Sequence, residues 1–335
     1  MIFSPLRYAN WIVLQNVIFY NFNQMASGAK PFVKWVGGKR QLLHDIVLRL
    51  PESFKSGDEL TYVEPFVGGG AVLFHLLENY PNIKRAVIND VNPKLIAAYR
   101  VVRDNPKELA SALLELQKEY IGMNVDDDRK TFYLGIRKRF NDEELSDLEI
   151  AAFLIFLNRT CFNGLYRVNS KGHFNVPFGK YPNPTICDIE TLMADSELLQ
   201  KVEIMQGDFE QVERYANAGD FVYIDPPYRP LDATSCFNSY DKGGFDDEEQ
   251  SRLKRFVDRL TANDCAVMLS NSDGKGRNPD DTFFDDLYNG YVIERVYAKR
   301  AVNANPEKRG KLTELLVRNY GCPITKESSS NVNGK

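Results

Sequence analysis

The sequence predicts an α/β protein, a doubly wound and mostly parallel sheet with a mainly helical segment inserted into it. Three observations carry that expectation. Apolar runs with strand character alternate with helical periodicity over most of the chain. The first of those runs, Leu60–Val63, breaks into the glycines of Glu64-Pro-Phe-Val-Gly-Gly-Gly70 and then opens a helix, as the first strand of a nucleotide-binding sheet does. The stretch from about 100 to 198, between the second and third strand candidates, is too long for a simple crossover. The composition agrees: of 335 residues, 43% are hydrophobic and 26% charged, which supplies a core and excludes disordered and collagen-like classes.

Taken in order, residues 1–29 read as an extension apart from the fold. No residue from Tyr8 to Ala29 is charged, but Gln15, Asn16, Asn21, Asn23 and Gln24 interrupt its apolar runs. A membrane-spanning helix needs ~20 mostly apolar residues, so none is expected. Translation is expected to begin at Met25; a signal peptide with Arg7 as its charged start is the alternative. After Leu60–Val63 a helix runs through Leu77, a second strand covers Ala86–Ile88 and ends at Asn89-Asp90, and a helix follows from about Pro93. Residues 106–160 are mostly helical, with apolar spacing at Leu109, Leu113 and Leu116 and again at Ala151, Leu154 and Ile155. Residues 161–187 lose that period and carry Gly164, Gly172, Pro177, Gly179, Pro182 and Pro184, a loop-and-hairpin signature. Strands resume at Val202–Met205, Phe221–Ile224, Ala266–Leu269, Tyr291–Val296 and Leu312–Val317, with helices between the first three. Asp246 and Glu249 form a candidate capping box for the second of these helices. The resulting division is 30–100 with 199–320 as the sheet domain, 101–198 as the inserted lobe and 321–335 as a polar tail.

The formal net charge is −4, which as an average argues against a nucleic-acid partner. The distribution argues otherwise. No acidic residue lies between Glu149 and Asp188, where Arg159, Arg167, Lys171 and Lys180 fall. A second basic run holds Arg295, Lys299, Arg300, Lys308, Arg309 and Lys311, and a third holds Lys30, Lys34, Lys39 and Arg40. Solvated surface is the plain alternative for each run taken alone. Five cysteines, at 161, 187, 236, 265 and 322, form no CxxC, which favours a reducing, cytoplasmic setting over a disulfide framework. His44, His75 and His173 stand far apart, so no metal site is expected.

Three motifs carry chemistry. In the first, the glycines Gly68–Gly70 let a backbone approach a ligand closely, and Asp90 stands where a carboxylate can accept hydrogen bonds from ribose hydroxyls. NAD, FAD and S-adenosylmethionine (AdoMet) sites all use this pair; the irregular glycine spacing counts against NAD. The second, Lys34-Trp-Val-Gly-Gly-Lys39, is not a phosphate-binding P-loop, because Arg40 follows Lys39. Its Trp face and ammonium suit an adenosyl or amino-acid group, although Trp35 alone is equally a core residue. The third, Asp225-Pro-Pro-Tyr228, ends a strand. Its prolines remove two donors, so the Asp225 carboxylate and the Pro226 carbonyl are free to accept the hydrogens of an exocyclic amine. Tyr228 offers a face on which a base stacks, worth ~1–3 kcal/mol per base.

Together with Asn163-Gly-Leu-Tyr-Arg167 and Phe174-Asn-Val-Pro-Phe-Gly179, these motifs make the chain resemble the Dam-type DNA adenine-N6 methyltransferases, including methylases of DpnII-like restriction systems. The likeness covers about residues 30–320. It implies an AdoMet-dependent, Rossmann-like methyltransferase sheet with an inserted DNA-recognition lobe carrying a β-hairpin. It implies GATC in double-stranded DNA as target, a bacterial or phage origin and, for a restriction-system member, a cognate restriction enzyme. The cofactor positions implied are Trp35, Lys39, Glu64, Phe66, Gly68, Gly70, Asp90, Asp225 and, more weakly, Asp208. The catalytic tetrapeptide is Asp225, Pro226, Pro227 and Tyr228. The DNA contacts are Lys34, Phe162, Asn163, Leu165 and Arg167, with Pro177 nearby. Phe162 departs from the Tyr that the family can place there; Phe still wedges between base steps but lacks a hydroxyl for phosphate. From the residues themselves, Arg167 can pair bidentately with guanine, and Asn163 with adenine or the backbone; an Asx turn before Gly164 is the structural alternative for Asn163.

The expected reaction is direct methyl transfer to a flipped adenine, with no metal. Rival chemistries fit less well. A cytosine-C5 enzyme needs a nucleophilic Cys after Pro, and the chain has only Cys322-Pro323. Cytosine-N4 enzymes usually show Ser in place of the Asp of Asp-Pro-Pro-Tyr. A glutamine or RNA methyltransferase leaves the basic hairpin unexplained, and a DNA-binding protein without catalysis leaves Asp225–Tyr228 unexplained.

Overall fold

The structure is a computed structural model that describes residues 28–35, 37–229, 245–276, 278–298 and 312–322. The extension expected over 1–29, up to residue 27 and including Met25, lies outside the described residues. So do Cys236, the second basic run from Lys299 onward and the polar tail from Pro323.

The elements follow in chain order as α1 (Leu43–Val47), α2 (Ser53–Ser56), β1 (Leu60–Glu64), α3 (Ala71–Asn79), β2 (Ile83–Asp90) and α4 (Pro93–Asp104). The helical segment continues as α5 (Pro106–Gly122), α6 (Asp126–Asp142), α7 (Asp147–Thr160) and α8 (Ile189–Leu199). Then come β3 (Val202–Gln206), β4 (Phe221–Ile224), α9 (Asp247–Ala262), β5 (Ala266–Ser272), α10 (Phe283–Leu287), β6 (Val292–Ala298) and β7 (Leu312–Arg318). The strands form one sheet in the order β3-β2-β1-β4-β5-β7-β6. The first five are parallel, and β7 runs antiparallel to both β5 and β6. Strand order reverses between β1 and β4, and in open α/β sheets ligands bind at the carboxyl ends beside that reversal.

The central strands are apolar without a break because both faces are covered. In β4, Phe221 and Tyr223 enter one core while Val222 and Ile224 enter the other. Leu253, Phe256, Val257 and Leu260 of α9 cover the second face. The first face meets α3, α4 and the whole helical segment in one continuous cluster. At its centre lies α7, whose residues from Ala151 to Asn158 are all buried. A full capping box of Ser146 with Glu149 starts that helix.

The helix expected between β3 and β4 is a 3-10 helix, Phe209–Tyr215. Two local expectations are corrected. Asp246 does cap α9 by accepting from Glu248 and Glu249 N–H; the return half of the box is replaced, because Glu249 pairs with Arg252 at 3.2 Å. The hairpin of 161–178 is held by two isolated bridges, Cys161 with Phe178 and Val168 with Phe174, rather than by a regular ladder. Among the described residues no helix is long and apolar enough to cross a membrane.

Candidate active site and nucleic-acid face

The two chemistry-bearing turns flank the reversal point. One leaves β1 through Glu64 and the glycines, the other leaves β4 through Asp225. Gly68 and Gly70 have φ of +49° and +73°, which only glycine adopts at little cost. Side chains there would also collide: a Cβ on Gly68 would lie 2.9 Å from the Trp35 ring and one on Gly70 2.5 Å from the Tyr99 hydroxyl. Tyr99 donates to the Gly68 carbonyl at 3.0 Å. Asp90, at the end of β2, accepts the Gly68 N–H at 3.1 Å and the Asn92 N–H at 2.9 Å. Its neighbour Asn89 donates to Pro65 and Gly207 carbonyls, both at 3.0 Å, tying the turns after β1 and β3 together.

Lys39 reaches the other turn. Its ammonium donates to Tyr228 Oη at 2.6 Å and sits 3.0 Å from Asp225 Oδ1 and 3.2 Å from Glu314 of β7. Burial works against that charge, but Asp225, Tyr228, Tyr223 and Glu314 outweigh it and raise the Lys39 pKa, so the side chain is a cation. Conversely, burial pushes the Asp225 carboxyl up, and Lys39 opposes the push. Ser270 of β5 donates to the same Oδ1 at 3.1 Å. Among the described residues no donor reaches Oδ2. Gln250 of α9 donates to the Pro227 carbonyl at 3.4 Å, while the Pro226 carbonyl accepts from nothing described. Tyr228 keeps 39% of its surface open.

The residues fit a methyl donor that is itself a cation. Glu64, Asp90 and Asp225 stand at the ends of β1, β2 and β4, and burial raises the pKa of each. Such a set favours a positive ligand. Phe66, Phe209 and Phe245 lie with ring centroids 5.2–6.2 Å apart, an aromatic wall for a purine. Asp208 stands at the rim of that wall, where its carboxylate meets Arg252 at 2.6 Å.

A second group of expected residues assembles around Asn158 of α7. Its buried amide accepts the Lys34 N–H at 2.8 Å and donates to the Lys34 and Gly164 carbonyls, both at 2.9 Å. This clamps the Lys34 segment against the 162–164 turn. There Phe162 N–H donates to the Pro177 carbonyl at 2.8 Å, and Asn163, at φ +56°, donates its N–H to Tyr181 Oη at 3.2 Å. Lys34, Phe162, Asn163 and Pro177 are therefore neighbours on the surface, and Phe162 is 50% exposed. Arg167 is also exposed, its guanidinium steadied by Asn175 Oδ1 at 2.8 Å and the Asn175 carbonyl at 3.3 Å. Leu165, by contrast, is half-buried against the core.

The basic runs sort themselves. Lys30 pairs with Asp188 at 3.1 Å, Lys39 is buried, Arg159 turns inward to the Phe32 carbonyl at 3.0 Å, and Arg295 pairs with Asp273 and Asp285. Lys34, Arg40, Arg167, Lys171 and Lys180 remain exposed with no carboxylate partner among the described residues. Trp35 links the two sites, packing on Gly68 and Gly69 and stacking on Tyr166 of the hairpin at 4.7 Å. Sequence reasoning missed Glu314, Ser270, Tyr223 and Asn158. Glu314, Tyr223 and Asn158 sit among apolar residues of a strand or helix, where a polar group that would cost free energy if buried unpaired is the available signal, and Ser270 opens the polar end of β5.

Residues 35–302 match the family described as D12 class N6 adenine-specific DNA methyltransferases. The chain is 46% identical over 294 residues to the type II methyltransferase M.MjaIII of Methanocaldococcus jannaschii, covering 87% of this chain and 99% of that one. It is 42% identical over 297 residues to M1.LlaDCHI of Lactococcus lactis, covering 87% and 96%. It is 34% identical over 288 residues to the DNA adenine methylase of Vibrio cholerae, covering 86% and 95%. The sheet has the expected AdoMet-dependent methyltransferase fold, and the chain belongs to the D12 class of N6 adenine-specific DNA methyltransferases.

Proposed function

We propose that this chain methylates N6 of an adenine flipped out of double-stranded DNA, in the sequence GATC, with AdoMet as donor. The observation that carries the reading is the meeting of Lys39, Asp225 and Tyr228 at the reversal of strand order. When bound, AdoMet supplies an electrophilic methyl on a sulfonium. Trp35, Glu64, Phe66, Gly68, Gly70, Asp90 and Asp208 line its side of the crevice. Lys39 opposes the burial that pushes the Asp225 carboxyl up. Asp225 and the Pro226 carbonyl accept the two amine hydrogens, turning the nitrogen lone pair out of the base plane, and Tyr228 stacks on the ring. Once the nitrogen is alkylated its proton becomes acidic and leaves, so a strong base is not required; orientation does most of the work. Residues 101–198 serve as the DNA-recognition lobe, with Phe162 as wedge and Lys34, Asn163 and Arg167 as readers. GATC rests on the match of those residues to the Dam-type pattern. The protein acts in a bacterial or phage-infected cytoplasm; relatives named type II methyltransferases favour a cognate restriction enzyme as companion.

The test is methyl incorporation from tritiated AdoMet into a GATC duplex, a GATC-free duplex and RNA. Label confined to adenine of the GATC duplex is expected; equal label in either control overturns the reading. Asp225→Ala should lose transfer by more than about 1,000-fold while still unfolding cooperatively, at a lowered temperature because the buried Lys39 loses a partner. Near-normal methylation by that variant removes Asp225 from the chemistry.

A further inference from the structure

The tip of β5 is polar where a sheet interior is ordinarily apolar. Ser270 is fully buried, and so is Tyr223 of β4. The β4–β5 register pairs Tyr223 with Met268 and Ile224 with Leu269, which brings Ser270 across from Asp225. A chain of hydrogen bonds results: Tyr223 Oη meets Ser270 Oγ at 2.9 Å, and Ser270 donates to Asp225 Oδ1 at 3.1 Å. Packing alone requires neither hydroxyl. Phe221, two residues before Tyr223 on the same face, is a plain ring in the same core. A buried hydroxyl costs free energy unless it is bonded, and both of these are bonded toward Asp225.

We propose that Ser270 and Tyr223 are positioning residues that lock the Asp225 carboxylate in one rotation. Ser270 and Lys39 both engage Oδ1, and Oδ2 is thereby presented as the acceptor for the target amine. Tyr223 fixes which way the Ser270 hydroxyl points. A carboxylate held by one oxygen and free at the other costs no reorganisation when the amine arrives, which is the advantage of a preorganised acceptor. The inference rests on the reading of Asp225 as amine acceptor and adds to it which oxygen is used and what holds it.

The experiment compares Ser270→Ala, Tyr223→Phe, the double variant and Asp225→Ala by steady-state kinetics across pH. Ser270→Ala should lower kcat about tenfold, the effect of losing one hydrogen bond to a charged group, with KM for DNA and AdoMet within twofold. Its acid limb should move to higher pH, because a donor that favours the carboxylate has gone. Tyr223→Phe should lower kcat by a smaller factor, and the double variant should be no worse than Ser270→Ala, since the two act in series. Unchanged kcat and an unmoved acid limb in both single variants, with only a lowered Tm, would overturn the proposal. If Ser270→Ala does not fold, Tyr223→Phe decides alone by the same readouts. An inactive Asp225→Ala beside unaffected Ser270→Ala and Tyr223→Phe sinks the relay only; an active Asp225→Ala sinks the reading beneath it.

Discussion

Lys39 is a buried cation facing Asp225 and Glu314, whose side chains are 20% and 16% exposed. Removing one partner from such a set leaves charges uncompensated, which costs about 3 kcal/mol. Lys39→Met should therefore lower stability in urea by about that much. It should also shift the acid limb of kcat upward, because Asp225 loses the group that opposes its burial. Asp195 shows the same physics without catalysis. It is fully buried, accepts the Lys30 N–H at 3.0 Å through Oδ1, and has no partner for Oδ2 among the described residues. Burial pushes its pKa up to about 8. A carboxyl raised in the folded state contributes stability that is complete below its unfolded pKa and is lost as pH rises through about 8. Asp195→Asn should remove that loss, so chemical denaturation at pH 5 and pH 8 should differ less for the variant than for the wild type. Neither environment was legible in the sequence, because both depend on burial set by packing: Lys39 was expected at the cofactor, and Asp195 belongs to no motif.

At the scale of elements, the Lys34–Lys39 stretch is a strap between two sites. Its first residue lies on the hairpin, its Trp on the glycine turn and its last Lys on Asp225. Six residues span at most about 20 Å, so the proposed DNA face and the proposed amine pocket are held at short range by one segment. Asn158 anchors the strap. Asn158→Ala leaves three main-chain groups without their partner, and the expected loss is about 3 kcal/mol with weakened DNA binding in fluorescence anisotropy. Ser146→Ala, which removes the cap of the same helix, should cost about 1 kcal/mol and leave affinity for DNA unchanged. A variant pair that loses affinity equally would mean that α7 acts through stability alone. The strands and most helices were readable from periodicity, because the central strands are apolar on both faces and the helices amphipathic. The 3-10 turn at Phe209–Tyr215 was not, since a short apolar pattern suits either helix.

For the molecule as a whole, a net charge of −4 coexists with Lys34, Arg40, Arg167, Lys171 and Lys180, members of the basic runs that are exposed and lack carboxylate partners among the described residues. Affinity for DNA should fall steeply with salt, with log Kd rising in proportion to the number of phosphates engaged, about 0.9 per contact. A flat response between 50 and 200 mM salt would show that these residues do not meet the phosphate backbone. From the sequence alone came the sheet class, the glycine turn, the Asp-Pro-Pro-Tyr strand end and the order of the motifs along the chain, because each is a local pattern of residue type and spacing. Only the tertiary structure decided which basic residues are free, that Glu314, Ser270 and Tyr223 converge on Lys39 and Asp225, and that one amide of α7 ties Lys34 to the 162–164 turn. Those facts depend on strand order and register, which bring together residues up to 275 positions apart and leave no trace in the spacing of any one segment.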